Sequence, residues 1–371
     1  MLNMTTAYSF CLKRLTLLLL IYIEITAGYN TLKAQANNQT IDSFIQQVIT
    51  DGLGPGGSFL VAHNNQIIYQ KSFGLANLEW KIALTDQSVF QIGSMTKQFT
   101  AFAILMLEKE GKLSTSDTLF QYLPDFPRSK TITLHHLLTH TSGIRDYTRM
   151  KDLNDIAQKE MSAVELIDFF KHEEPLFLPG EKYEYNNSGY IILGRIIELV
   201  SGLQYHEFIE QHIFKKAGMA STYFASDKNI IPHRAYGYHK KEQGYVNKRQ
   251  ISYTIPFSAG SLMSTVSDLL RWQQALNQYT LLPPEIQAKA FVSHTLRNGE
   301  AINYGYGWHI KKLEGLEVRE HGGSIFGYKS MAVYYPSENI YVVGLTNCDC
   351  WSPTQLVRDV AAYTYRALQK E

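Results

Sequence analysis

The sequence predicts a protein of the α/β (α+β) fold class, in which helices flank an antiparallel sheet and an all-helical domain is inserted into the chain. Strand-like alternation of polarity occurs near both ends, within residues 58–73 and 306–346. The residues between show mainly helical spacing. This order indicates a sheet built from both ends of the chain around a helical middle. We therefore assign the α/β part to residues of about 40–95 and 255–371, and the helical insertion to about 96–254.

Length and composition are those of a folded globular protein with little net charge. Of the 371 residues, 45% are hydrophobic and 19% are charged, which excludes a disordered or collagen-like chain. The 35 Lys and Arg residues nearly balance the 34 Asp and Glu residues, so the net charge is +1. Nucleic acid is not an expected partner, because binding to a phosphate backbone requires a basic surface.

The first 36 residues have the pattern of a secretory signal peptide. Lys13 and Arg14 precede a short apolar run at 15–23, and the segment ends in an Ala-x-Ala cleavage pattern at 34–36. We expect a mature chain of residues 37–371 that is secreted or periplasmic and has no stable membrane span. The alternative is an uncleaved signal that anchors the protein in the membrane, but spanning a bilayer takes about 20 apolar residues.

A short helix is predicted around residues 41–49, ahead of the first half of the sheet. Residues 58–63 and 66–73 alternate in polarity across Asn64-Asn65, which is typical of a β-hairpin. A third strand-like run at 89–92 leads directly into a long apolar helix that Gly111 ends. The chain therefore turns sharply from strand to helix near residue 94.

The middle and the end of the chain complete the predicted fold. Helical spacing occurs at residues 163–172, 190–200 and 206–216. Strand character returns at residues 306–311, 318–321, 329–335 and 340–346. A final helix is predicted from about 353 to 369, with proline in its first turn. Cys348 and Cys350 are interpreted as packing residues, because their spacing is tight for a relaxed disulfide.

Three short motifs carry side chains that are able to perform hydrolysis. Ser94-Met95-Thr96-Lys97 opens a helix, which places the hydroxyl and the amine one turn apart on the same face. Tyr185-x-Asn187 offers a phenol as a proton relay and an amide that can bind a substrate carbonyl or N–H. His321-Gly322-Gly323 offers a titratable ring and two residues that let a substrate backbone approach closely. Taken singly, each motif also fits a structural role as a cap, a packing residue or a turn.

A cluster of histidines suggests a metal site, but its pattern argues against one. His136 and His140 are four residues apart and follow His135. No glutamate follows His136, so the pattern of a metalloprotease helix is absent. We expect neither a metal nor an organic cofactor.

The three motifs, in this order and at these separations, resemble the serine β-lactamase-related hydrolases, specifically the class C β-lactamase and D-Ala-D-Ala carboxypeptidase group. Further similar stretches occur at residues 137–143, 259–265 and 304–308. The resemblance covers residues of about 40–370 and implies a β-lactamase/transpeptidase-like fold. An active site of this group is expected in the crevice between the two parts of the chain.

The resemblance also implies a role for each motif residue. Ser94 would be the nucleophile, Lys97 its base or proton relay, and Tyr185 the group that protonates the leaving nitrogen and activates water. Asn187 would hold the amide of the substrate's acyl side chain, and His321 would dock a carboxylate or assist Tyr185. The oxyanion hole would consist of the backbone N–H groups of Ser94 and Ser324.

One departure from the group limits what the resemblance implies. The Lys-Thr-Gly triad of class C β-lactamases is replaced here by His321, Gly322 and Gly323, so a permanent ammonium gives way to a titratable ring. This weakens the case for strong binding of a β-lactam carboxylate.

The expected function is that of an exported serine hydrolase that acts through an acyl-enzyme on an amide or ester bond. It would be D-alanyl-D-alanine carboxypeptidase-like, penicillin-binding-like or β-lactamase-like, and its substrate would be a peptidoglycan-type peptide, a β-lactam or an ester. Alternatives are an esterase or a D-amino-acid peptidase on the same fold, or a catalytically silent penicillin-recognising binding protein. The α/β-hydrolase fold is disfavoured, because Ser94 lacks the Gly-x-Ser-x-Gly context. The sequence leaves the oligomeric state open.

Overall fold

The computed structural model describes residues 37–50 and 52–369. The expected signal peptide therefore lies outside the described residues. Within these residues, no helix combines the length and the apolar character needed to cross a membrane. Residues 37–46 form helix α1, which belongs to a unit that extends to Val48, and all further elements belong to the unit that begins at Ile49.

The second unit contains short and long elements of both kinds. Its strands are β1 (Gly57–His63), β2 (Gln66–Phe73), β3 (Leu75–Asn77), β4 (Ile82–Ala83), β5 (Phe90–Gln91), β6 (Tyr223–Phe224), β7 (Tyr238–Lys241), β8 (Gly244–Asn247), β9 (Leu262–Ser264), β10 (His309–Leu313), β11 (Leu316–Ile325), β12 (Tyr328–Tyr335) and β13 (Ile340–Thr346). Its helices are α2 (Thr96–Lys109), α3 (Leu134–Leu138), α4 (Leu153–Ile156), α5 (Ala163–Phe170), α6 (Asn187–Ser201), α7 (Tyr205–Ile209), α8 (Lys215–Ala217), α9 (Phe257–Gly260), α10 (Val266–Asn277), α11 (Pro284–Gln287) and α12 (Pro353–Leu368). A wider π turn, Glu210–Phe214, joins α7 to α8.

Six strands form the main sheet, in the order β10-β11-β12-β13-β1-β2. Every neighbouring pair is antiparallel, and β1 pairs with β13 so that Gly57 lies opposite Thr346. The β1–β2 hairpin turns at Asn64 and Asn65, whose φ angles of 51° and 64° suit a tight hairpin turn. The prediction of an antiparallel sheet built from both ends of the chain is confirmed.

Helices cover both faces of this sheet, and the buried core follows from that arrangement. Helix α12 packs on β12 and β13, while α10 packs on β1 and β13. Strand β13 is consequently buried along its whole length. Helix α2 is buried from Thr96 to Leu107, and its Phe99 stacks on Trp272 of α10 with ring centres 4.5 Å apart. A helix buried on all sides also holds the turn that precedes it, where Ser94 lies, in a rigid setting.

The segment of residues 96–254 was expected to form a helical insertion made mainly of helices and loops, and the structure adds short strands to it. It contributes β6 to a small sheet of order β5-β9-β6, and it forms the β7–β8 hairpin. Strands of two to four residues give too few positions for a two-residue period to be recognised, which explains why these strands were not predicted.

The expectation that Cys348 and Cys350 only pack is wrong, because the two residues form a disulfide with their Cα atoms 5.2 Å apart.

Candidate active site

Ser94 lies at the sharp turn between a strand and a buried helix. Strand β5 ends at Gln91, and Gly93, with a φ of +51°, reverses the chain into a short 3-10 turn, Gly93–Met95. Such a φ is readily adopted by glycine and strained for most other residues. The turn leaves the Ser94 side chain partly exposed at the N-terminal end of α2, as the motif predicts.

Lys97 follows one turn later and is completely buried. Its Nζ lies 3.3 Å from Ser94 Oγ, 2.8 Å from Asn187 Oδ1 and 2.9 Å from the carbonyl oxygen of Ala259. Burial lowers the pKa of the Lys97 ammonium to about 7, and the negative charge of Asp146 opposes this shift. A large fraction of the lysine is therefore uncharged at neutral pH.

The partners of Lys97 determine where its lone pair points when the amine is neutral. The amide oxygen of Asn187 and the carbonyl oxygen of Ala259 can only accept hydrogen bonds. A neutral amine has two N–H donors, and these two oxygens take both. The remaining lone pair then faces Ser94 Oγ, which makes Lys97 a base positioned for the serine proton.

Tyr185 completes the cluster from the opposite side. Its ring lies beneath Lys97, with Nζ 4.8 Å from the ring centre. Burial raises the pKa of the Tyr185 phenol well above its usual value, although hydrogen bonding to the nearby Ser94 lowers it in part. Among the described residues, the Tyr185 hydroxyl has no hydrogen bond of normal geometry. Tyr185 thus stays protonated. It is suited to donating a proton, and not to removing the proton of Ser94.

Asn187 is held by Asp146, a buried carboxylate that the sequence reasoning missed. Asp146 Oδ2 accepts from the backbone N–H of Asn187 at 3.3 Å and from its Nδ2 at 3.1 Å. Asp146 Oδ1 accepts from the backbone N–H of Thr148 at 2.9 Å. Because its Nδ2 bonds to Asp146 and its Oδ1 bonds to Lys97, the Asn187 amide orients the base in this structure.

His140, considered above only as a metal ligand, supports the Tyr185 loop instead. Its Nδ1 accepts a hydrogen bond from the backbone N–H of Asn186 at 3.1 Å, and its backbone oxygen accepts one from the backbone N–H of Glu184 at 3.0 Å. The His140 ring lies 4.3 Å from the Tyr185 ring, centre to centre. These contacts hold the chain on both sides of Tyr185.

The first half of strand β11 pairs with β10, and its glycine-rich second half lies against the Ser94 turn. A Cβ atom added to Gly323 would lie 2.0 Å from the carbonyl oxygen of Ile92, and one added to Gly93 would lie 2.9 Å from the nitrogen of Ser324. Only glycine allows so close an approach at position 323. The backbone of Ser324 is thereby brought beside the turn that carries Ser94.

His321 is buried and engaged at both ring nitrogens. Nδ1 lies 2.6 Å from the carbonyl oxygen of Gly322, which can only accept, so Nδ1 carries the proton. Nε2 lies 3.1 Å from the hydroxyl of Tyr304 and accepts from it. Burial, with the nearby His309 and Lys97, lowers the pKa of His321 well below its ordinary value, so the ring is neutral.

Two cavities meet at Ser94. One, of about 350 Å³, is lined by Asn187, Tyr147 and Phe326, and the other, of about 340 Å³, by Tyr185, His321 and Lys329. Ser94 is therefore accessible from both sides, which would suit a substrate that extends in both directions from a bond placed at its hydroxyl.

The other histidines of the predicted trio have separate structural partners. His135 Nδ1 lies 2.8 Å from the Tyr306 hydroxyl, and His136 Nδ1 accepts from the backbone N–H of Thr133 at 3.1 Å. In the part of the chain that the structure describes, no group of three or more potential metal ligands comes together.

Asp146 provides a test of how Lys97 is tuned. Asp146→Asn removes a negative charge that favours the ammonium form, so the pKa of Lys97 should fall. If Lys97 is the base, the rising limb of a plot of kcat/KM against pH should move to lower pH, by about half a unit to one unit. The measurement is the pH profile of ester hydrolysis from pH 5 to 9. Asp152→Asn, which lies outside the cluster, is the control, and an unmoved limb in Asp146→Asn contradicts the coupling.

Comparisons with known proteins identify related sequences and structures. A family model described as Beta-lactamase matches residues 41–363. The chain is 34% identical to Penicillin-binding protein 4* of Bacillus subtilis (strain 168) over 306 residues, which is 78% of this chain and 68% of that protein. About a third of that relative thus lies outside the comparison.

Solved structures share the fold. The octameric penicillin-binding protein homologue from Pyrococcus abyssi superposes with a TM-score of 0.76 at 29% identity, covering 90% of this chain and 77% of the other. The D-amino acid amidase from Ochrobactrum anthropi SV3, complexed with L-phenylalanine amide, superposes with a TM-score of 0.77 at 22% identity, covering 90% and 99%. At that identity, the second likeness establishes the fold alone.

Proposed function

The chain belongs to the beta-lactamase family, and we propose that it is a serine hydrolase of the penicillin-binding, D-alanyl-D-alanine carboxypeptidase type that forms an acyl-enzyme at Ser94. Proteins of this fold family are generally serine hydrolases. The observation that carries the proposal is the buried Lys97, whose pKa is lowered to about 7 and whose Nζ lies 3.3 Å from Ser94 Oγ. A buried amine without a catalytic task would be a costly feature to maintain.

The proposed reaction has two stages. Lys97 takes the proton of Ser94 while Oγ attacks the carbonyl carbon, and the N–H groups of Ser94 and Ser324 stabilise the oxyanion. Tyr185 gives its phenolic proton to the leaving nitrogen and regains one from the Lys97 ammonium, while the tetrahedral intermediate collapses to an ester with Ser94. A water molecule then attacks this ester and gives up a proton through Tyr185 and Lys97, which releases the acid and restores Ser94.

In this scheme the remaining predicted residues shape the site. Asn187 orients Lys97 and faces the cavity on the acyl side, while Gly322 and Gly323 allow β11 to approach the nucleophile. His321 acts as a neutral, hydrogen-bonded support and not as a charged dock for a carboxylate, because both its nitrogens are engaged within the protein.

A second candidate is an amidase or esterase for D-amino-acid derivatives. The observation that favours it is the neutral His321 where class C β-lactamases carry a charged lysine, since a substrate without a free carboxylate would not need that cation. The assembled Ser94, Lys97 and Tyr185 argue against a catalytically silent binding protein. We also propose that the protein is exported, based on the signal-like pattern of residues 1–36.

Intact-mass spectrometry after incubation with a penicillin, beside an assay for D-alanine release from a peptide ending in D-Ala-D-Ala, tests the proposal. We expect a lasting adduct of the drug's mass together with D-alanine release. Fast loss of the drug without an adduct would indicate a β-lactamase. Hydrolysis only of D-amino-acid amides or esters would favour the second candidate, and no reaction with any of these substrates would overturn the assignment to a hydrolase.

A further inference from the structure

A third, larger cavity adjoins the acyl side of the site. It has a volume of about 740 Å³ and is lined by residues of the β7–β8 hairpin, of the loop after β8 and of the segment that precedes β7. Ile251 lines both this cavity and the smaller one that contains Ser94 and Asn187, so the two spaces share a wall. The proposed mechanism uses no residue of the larger cavity.

Two cations meet at one aromatic ring in this cavity. The Arg234 guanidinium carbon lies 5.8 Å, and Lys248 Nζ lies 5.3 Å, from the centre of the Tyr253 ring. Within residues 37–50 and 52–369, neither cation has a carboxylate oxygen within 4.0 Å. Arg234 uses Nη2 to bond the backbone oxygens of Ser226 and Asn229, at 2.5 and 3.5 Å, while Nε and Nη1 have no partner among the described residues.

The nearby carboxylates do not neutralise this pair directly. Glu79 accepts hydrogen bonds from Asn247 and Tyr238, and Glu160 forms an ion pair with Lys228 at 2.9 Å. Asp227 is exposed and acts on Lys248 only through space. Two cations thus remain available at the wall of the cavity.

Keeping the Lys248 ammonium charged at this position costs free energy. Burial lowers the pKa of its ammonium; the negative charge of Asp227 opposes this shift, and the positive charge of Arg234 adds to it. A bound anion would restore the favourable interactions that the ammonium lost with water, and it would bridge the free donors of Arg234. The exposed ring of Trp80, at 80% of its surface, provides an apolar edge to the same cavity.

We propose that Arg234 and Lys248 form a subsite for a carboxylate on the acyl-donor part of a peptide substrate, several residues before the scissile bond. The position follows from the shared wall at Ile251, because the cavity that contains Asn187 is the acyl side of the site. This inference rests on the proposed function, since it assumes that a peptide is bound. It assigns the selection of acidic peptides to residues remote from Ser94.

Equilibrium binding to a Ser94→Ala background tests the subsite without turnover. The probes are peptides that end in D-Ala-D-Ala and carry glutamate at the second, third or fourth residue before the scissile bond, each beside its glutamine counterpart. Calorimetry at low ionic strength should show one glutamate peptide binding about 5–10-fold more tightly than its counterpart. Adding Arg234→Gln and Lys248→Gln should abolish this preference, whereas Lys240→Gln with Lys241→Gln, an equal change of charge on exposed β7, should preserve it.

The outcomes separate the subsite from the proposed function. If every glutamate peptide binds no better than its glutamine counterpart, or if both double variants lose the preference equally, the subsite is overturned. Acylation of the wild-type protein by penicillin, measured in parallel, then leaves the Ser94 chemistry standing. If no peptide binds and penicillin does not react, the proposed function fails, and the subsite fails with it.

Discussion

Ser94→Ala is expected to lower kcat/KM by at least about 10³-fold and to abolish every covalent adduct with a penicillin. The reason is that, among the described residues, Ser94 carries the only hydroxyl hydrogen-bonded to Lys97 Nζ, and that the proposed oxyanion donors are the N–H groups of Ser94 and Ser324. The loss of one partly exposed hydroxyl at a turn should leave the fold unchanged. The measurements are intact mass after incubation with the drug, steady-state hydrolysis and thermal unfolding.

A matched serine variant makes this result specific. Ser116 is exposed and lies outside the cluster, so Ser116→Ala should keep wild-type acylation. Activity retained in Ser94→Ala would show that another residue is the nucleophile. A large fall in the melting temperature of Ser94→Ala would instead show that the lost activity reports on folding.

The rate of acylation should rise with pH and level off, with a midpoint near pH 7. Only the neutral amine of Lys97 can accept the Ser94 proton, and the pKa of about 7 means that this form predominates above neutrality. Lys97→Met should lower kcat/KM by about 10²–10⁴-fold, and the residual activity should lose this rising limb. The measurement is kcat/KM from pH 5 to 9 with an ester substrate that does not itself titrate in this range.

Lys109 offers a control within the same helix. It lies near the exposed C-terminal end of α2, so Lys109→Met should retain both the rate and the midpoint. A wild-type profile that is flat between pH 5 and 9 would exclude Lys97 as the base. A rising limb that persists in Lys97→Met would assign the titration to another group.

The fold could be predicted from the sequence where one pattern of polarity continues over many neighbouring residues. The hairpin of β1 and β2 follows from alternation across Asn64-Asn65, and α12 follows from a periodic run with proline in its first turn. That both ends of the chain contribute to one sheet could be predicted from the strand pattern, but the specific pairing of β1 with β13 is a long-range contact that only the structure shows. Short strands such as β9 carry too few residues to show a period, so they were missed.

The candidate site divides in the same way. Ser94 and Lys97 lie in one motif. The turn into α2 brings them together through local structure, independently of the rest of the fold. Asp146 comes from a distant loop and the carbonyl oxygen of Ala259 from the short helix α9, and nothing in their local sequence marks them as partners of Lys97. Only the folded chain reveals that Asp146 affects the charge of Lys97 and that the Ala259 carbonyl oxygen helps to fix the direction of its amine.

The hydrogen bond between the backbone N–H of Gly56 and the Asn347 side chain joins residues 291 positions apart. This hydrogen bond lies next to the central strand pair β1–β13. That pair cannot form until β13, near the end of the chain, has left the ribosome. Ser324, whose backbone N–H we propose as an oxyanion donor, also lies in this late part of the chain, so the turn that carries Ser94 is synthesised long before it. Folding should therefore be slow and dominated by distant contacts, and a chain interrupted before residue 324 should contain Ser94 without a complete active site.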